Sequence, residues 1–210
     1  MTYKHIESAL EQLKKKHRIF HSEADFQFSL AWELQKILPT AKIRLEYCPS
    51  FAREMHIDIY VIDEDGSHPI ELKYKSRGIE MIDENEYFKL KNHGAQDIGR
   101  YDYLYDIQRI ENMKKLDKNF KSGYAIILTN DSAYWKAPAN NNTVDSAFRI
   151  HEGRIIEGSL SWTTNAGKGT TKDREDPIVL DNRYKIEWSN FSNFEGKSYG
   201  TFKLCAIEIL

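Results

Sequence analysis

"HIDIYVIDEDGSHPIELKYK", residues 56–75, decides the fold. Two alternating runs flank an acidic Asp-Gly turn, the pattern of two antiparallel strands, 56–62 and 69–75, joined as a hairpin. Side chains alternate faces along a strand. Ile70, Leu72 and Tyr74 therefore share one face, and Glu71 and Lys73 the other. In the first strand Ile57, Ile59 and Val61 form the matching apolar row, with His56, Asp58 and Tyr60 opposite. The apolar rows require a covering helix. Two carboxylates and a lysine are left together on the remaining face.

Upstream, KIRLEY at 42–47 alternates as a third strand. Before it, a helix is expected from about His21 to Leu38, ended by Pro39. Ser22 caps it, and Asp25 three positions on completes a capping-box variant. Gln27, Leu30 and Leu34 follow Glu23 at helical spacing, so Glu23 ends the inward stripe and Glu33 lies off it. Residues 4–18 form a shorter amphipathic helix with a basic end.

Downstream, 76–94 is a polar stretch of mixed charge, followed by a helix over 94–116 with Ile98, Tyr101, Tyr105, Ile107 and Ile110 as core contacts. YAIILTN, 124–130, is a continuous apolar run, as expected of a central strand covered on both faces. This order predicts an α/β fold, with α+β as the alternative: a mixed central sheet flanked by helices. Residues 1–137 would form the core and 138–210 a strand-rich extension of the same domain, broken by the polar loops APANNNTVD and TTNAGKGTTKDRED.

Composition narrows the function. Hydrophobic residues make up 40% of the 210 and charged residues 30%, which is globular rather than disordered. The net charge of −2 shows no overall polyanion-binding character, so any nucleic-acid surface must be local. Cys48 and Cys205 have no paired spacing, no apolar run approaches the roughly 18 residues of a membrane span, and MTYKHIESAL lacks a signal-peptide pattern. A cytoplasmic protein is expected.

Crowding Asp58, Glu71 and Lys73 on one face is costly unless a cation neutralises the carboxylates, and Mg²⁺ prefers carboxylate oxygens and water. A lysine two residues beyond one ligand could position an attacking water while the metal stabilises charge growing on a phosphate. The pattern resembles the PD-(D/E)xK nuclease superfamily, which includes many restriction endonucleases and repair nucleases. Its members place an acidic residue on one strand and Glu-x-Lys or Asp-x-Lys on the next, here Asp58 and Glu71-Leu72-Lys73. Ile57 stands where the family usually has proline.

The resemblance covers residues 20–130 and implies a restriction-endonuclease-like core. It implies Mg²⁺, with Mn²⁺ as substitute, held by Asp58 and Glu71 with Glu23 assisting, and catalysis by Asp58, Glu71, Lys73 and Gln96. Arg100, one turn from Gln96, and Lys75 would contact nucleic acid, DNA before RNA. Cutting both strands of a duplex calls for two sites, hence a homodimer. The alternative is a catalytically inactive nucleic-acid-binding or regulatory module. A small-substrate phosphohydrolase using His56 and Asp58 would need further histidine ligands that the sequence does not supply.

NAGKGTT, 165–171, is not a phosphate loop, because Lys168 precedes Gly169 and Trp162 stands where the first glycine would be. Lys168 and Lys172 instead offer nucleic-acid contacts from a loop.

Overall fold

The computed structural model describes residues 1–210. Two helices come first, α1 (Tyr3–Lys16) and α2 (Glu23–Ile37). Ser22 Oγ accepts from the Asp25 N–H at 3.2 Å, and the Asp25 carboxylate accepts from the His21 N–H at 2.9 Å. These contacts satisfy amides at the α2 N-terminus that have no intrahelical partner, as expected from the capping residues. Glu33 departs from expectation: it is buried and held between the ammonium groups of Lys16, at 2.7 Å, and Lys36, at 2.9 Å. α1 packing on α2 supplies the second lysine, a partner that α2 alone could not reveal.

Three antiparallel strands follow: β1 (Lys42–Tyr47), β2 (Ile57–Asp63) and β3 (Gly66–Lys75). The β2–β3 hairpin turns through Glu64 and Asp65, while Asp63 Oδ1 accepts from the Asp65 and Gly66 amides at 3.0 and 3.2 Å. Gly66 sits at φ +147°, and a Cβ there would overlap the Asn119 carbonyl oxygen. Glycine therefore serves both the turn and the close backbone approach.

A second hairpin, β4 (Ile79–Asp83) and β5 (Glu86–Leu90), occupies much of the stretch expected to be merely polar. Ile79, Met81, Phe88 and Leu90 alternate inward and are buried in the main core, while the intervening charged residues face out. Helix α3 (Gln96–Leu116) then crosses over to β6 (Gly123–Thr129), which runs parallel to β3. Every residue of β6 is buried, as its apolar run predicted.

The C-terminal third contains the hairpin β7 (Ile155–Leu160) and β8 (Ile178–Lys185), the single-turn α4 (Lys168–Thr171), β9 (Ser189–Asn193) and β10 (Thr201–Ile209). β10 pairs antiparallel with β6, giving a six-stranded mixed sheet in the order β1-β2-β3-β6-β10-β9. The fold is thus mixed α/β. One sheet face packs Ile59, Ile70, Leu72, Ile126 and Phe202 against α1, α2 and the β4–β5 hairpin. The other packs Ala125, Ile127, Cys205 and Ile207 against α3 and the β7–β8 hairpin. No helix is long and apolar enough to cross a membrane.

Two core assignments shift. Ile57 does not join the Ile59–Val61 row but packs with Tyr60 and Met113, because β2 separates from β3 at Asp58. On α3, Tyr103 and Leu104 are fully buried, whereas Tyr105 is 46% exposed and Ile98 only half-buried.

Candidate active site where the hairpin strands part

The β2–β3 ladder ends at the pair Ile59–Ile70. Beyond it β3 continues alone on that edge, and residues two apart present their N–H groups to the same edge. The Leu72 and Tyr74 amides would therefore be left without partners. Asp58 Oδ2 accepts from Leu72 N–H at 2.6 Å, and Glu23 Oε2 accepts from Tyr74 N–H at 2.7 Å. At the next position, His93 Nδ1 accepts from Ser76 N–H at 3.0 Å. Side chains from β2, α2 and the segment after β5 thus take over where the backbone ladder stops, because buried amides must be paired.

Glu71 and Lys73 alternate to the other side of β3 and meet α3. Lys73 Nζ lies 2.5 Å from Asp106 Oδ2, and Arg109 Nη1 lies 3.2 Å from Glu71 Oε1 and 3.4 Å from Asp106 Oδ1. Neither Glu71 Oε1 nor Asp106 Oδ2 receives a hydrogen bond of good direction, although both are buried. Arg109 also donates to the His56 carbonyl at 2.6 Å, and Gln27 donates to the Asp58 carbonyl at 2.6 Å and to Glu46 Oε1 at 2.7 Å. These bonds fix the diverging start of β2 against α2 and α3.

The electrostatics follow from burial. Desolvation pushes the Asp58 carboxyl from 3.8 up to about 6, against the lowering effect of the Leu72 amide and Lys73. Burial, with Asp106 adding to it, carries Glu71 well above the carboxylate range. Asp106 is also raised by burial despite Lys73. Burial pulls the Lys73 ammonium down, but Asp106 more than offsets it, so the net shift is upward. Lys73 is a fixed cation here, suited to positioning a water or stabilising developing negative charge rather than to accepting a proton.

Asp58 and Glu23 thus bind amides on the open edge of β3, Glu71 and Lys73 pair with α3, and the four lie within electrostatic reach of one another. Gln96 and Arg100 do not join them. Gln96 donates to Asp131 Oδ2 at 2.8 Å. Arg100 is 4% exposed and ion-paired to Asp145, which leaves no guanidinium face for nucleic acid. Gln96 precedes Asp106 by ten residues, about 15 Å along a helix. Lys75 is half-buried beside the site, and Lys168 and Lys172 are exposed on α4 and its C-terminal cap. That loop reaches α3 through Trp162, stacked on Tyr101, and through Arg174, bound to Asp102 at 2.7 Å.

The sequence reading gave no site role to Asp106 or Arg109, and placed Gln27 on the inward stripe of α2 without one. The signal for Asp106 was present: it lies three residues beyond Tyr103 and four before Ile110, on the buried stripe of α3. No three His, Cys, Asp or Glu side chains are already grouped as a metal-binding cluster. No protein-family model, curated protein or solved structure matches the chain.

Proposed function

We propose that the protein is a metal-dependent nuclease that hydrolyses phosphodiester bonds in nucleic acid, DNA before RNA, on a restriction-endonuclease-like core. The observation that carries the reading is an uncompensated charge. Three carboxylates, Asp58, Glu71 and Asp106, act on one another beside two cations, Lys73 and Arg109, with Glu23 at their edge. Such an excess of negative charge within partly desolvated surroundings is unfavourable, and a divalent cation would balance it. The orphaned Glu71 Oε1 fits the donor chemistry of Mg²⁺.

Asp58 and Glu71 would hold the ion, with Glu23 at the margin, and the metal would supply Lewis-acid stabilisation of the attacked phosphate. Lys73 would orient the water and hold its proton-bearing side toward the carboxylates. Arg109 keeps Glu71 in place and, through the His56 carbonyl, fixes the strand carrying Asp58. The mixed sheet and the placement of Asp58 on one strand and Glu71-x-Lys73 on the next support the family resemblance.

A second reading, an inactive nucleic-acid-binding module, draws on the Lys73–Asp106 pair, which ties up the lysine. Calorimetric titration with Mg²⁺ and Mn²⁺, beside cleavage of plasmid and single-stranded DNA, separates the two. The nuclease reading expects metal binding and cleavage, both lost in Asp58→Ala. Binding of DNA without metal uptake or cleavage would favour the second.

A further inference from the structure

The end of β3, the segment leaving β5 and the residues opening α2 enclose a surface depression of about 460 Å³ lined by His21, Ser22, Glu23, Lys75, Lys91 and His93, among others. Its walls are rigidly joined. Ser76, 2% exposed, donates its hydroxyl hydrogen to the Lys91 carbonyl at 2.8 Å, its N–H to His93 Nδ1, and accepts from the His93 N–H at 2.7 Å. This clasp holds the backbone of Lys91 beside that of Lys75. Lys89 adds a third ammonium, loosely paired with exposed Glu80 at 3.5 Å. Lys75 and Lys91 make no ion pair, unlike Lys73 and Lys89 nearby.

Three lysines converging on one hollow repel one another, and such a set, with Lys75 and Lys91 unpaired, fits an anion with several oxygen acceptors. Glu23 lies on the rim and also caps Tyr74 inside the carboxylate cluster, so the hollow and the cluster adjoin. We propose that this depression binds a backbone phosphate of nucleic acid adjacent to the one presented to Asp58 and Glu71. The inference rests on the nucleic-acid reading of that site and adds the path of the strand: past the β4–β5 hairpin, over Lys91 and Lys75, then to Asp58.

The test is fluorescence anisotropy of short fluorescein-labelled DNA, single-stranded and duplex, titrated with wild-type protein and K75A/K91A in EDTA at several salt concentrations. Each lost phosphate contact lowers the magnitude of the salt slope by about one. The expected result is weaker binding by K75A/K91A and a slope smaller by about one, with K168A/K172A as a comparison. Wild-type binding that K75A/K91A leaves intact would overturn the phosphate site while leaving the nucleic-acid reading standing. Failure of the wild type to bind either DNA would overturn both. Should K75A/K91A melt early, the exposed Lys91→Gln alone decides, with weaker binding and a smaller slope expected and no change in either counting against the site.

Discussion

Helix α3 carries two buried ionic clusters, and they are built differently. Near its start, Arg100 and Arg149 share Asp145, with Arg149 donating to Oδ1 at 3.1 Å and Arg100 to Oδ2 at 3.0 Å through Nε. Burial raises the Asp145 carboxyl, but Thr143 and Arg100 prevail and hold it below the usual range. Further along, Asp106 and Arg109 enter a group in which carboxylates outnumber cations, and burial prevails instead. In the first cluster both Asp145 oxygens are held by guanidinium groups, with only Arg149 Nε left without a partner, and the cluster pins the loop after β6 to the helix. In the second, burial raises the carboxyls of Asp58, Glu71 and Asp106, and that perturbation at a strand opening is what the proposed function rests on.

The sharpest way to break this contrast is Asp145→Ala. It leaves Arg100 buried without its partner and should cost about 3–5 kcal/mol, read from the urea unfolding midpoint. A loss near zero would remove Asp145 from its structural role.

Asp58→Asn should do the opposite. The folded protein holds the Asp58 proton up to about pH 6, whereas the unfolded chain releases it near 3.8. In that window the folded state binds more protons, so stability falls as pH rises. Removing the charge should therefore stabilise the fold above about pH 6, by roughly 1–3 kcal/mol, and change little below about pH 4. On the nuclease reading cleavage should drop by about 10²-fold or more, because a ligand of the ion that would stabilise the attacked phosphate is weakened. Paired melting and cleavage curves check this, and destabilisation at both ends of the pH range would mean that Asp58 is only a backbone cap.

The smallest effect belongs to Gln96→Ala. It removes one hydrogen bond to Asp131, worth about 1 kcal/mol, and should leave cleavage unaltered in a single-turnover assay. A large rate loss would place Gln96 back in the site and erase the distinction between the two ends of α3.

Legibility differed with the kind of pattern. The β2–β3 hairpin, the Ser22 cap and the all-apolar β6 were readable because each depends on spacing of two residues, on one cap or on one run. The β4–β5 hairpin was missed because Glu80, Asp83, Glu86 and Lys89 mask the alternation of Ile79, Met81, Phe88 and Leu90. Its turn residues Glu84 and Asn85, at φ 49° and 69°, lack the glycine that would have announced it.

By itself the sequence determined that Asp58, Glu71 and Lys73 would stand near one another, since strand alternation and a short turn leave few other arrangements. Tertiary structure decided which side chains would answer them. A helix turns about 100° per residue, so a phase error of one position exchanges Tyr105 for Asp106 on the face that meets β3. That phase is set by packing Tyr103, Ile107 and Ile110 onto the far side of the sheet, beside strands supplied from the other end of the chain. β10 and the β7–β8 hairpin complete that core, and α3 packed on it sets Asp106 on Lys73 and Arg109 on Glu71.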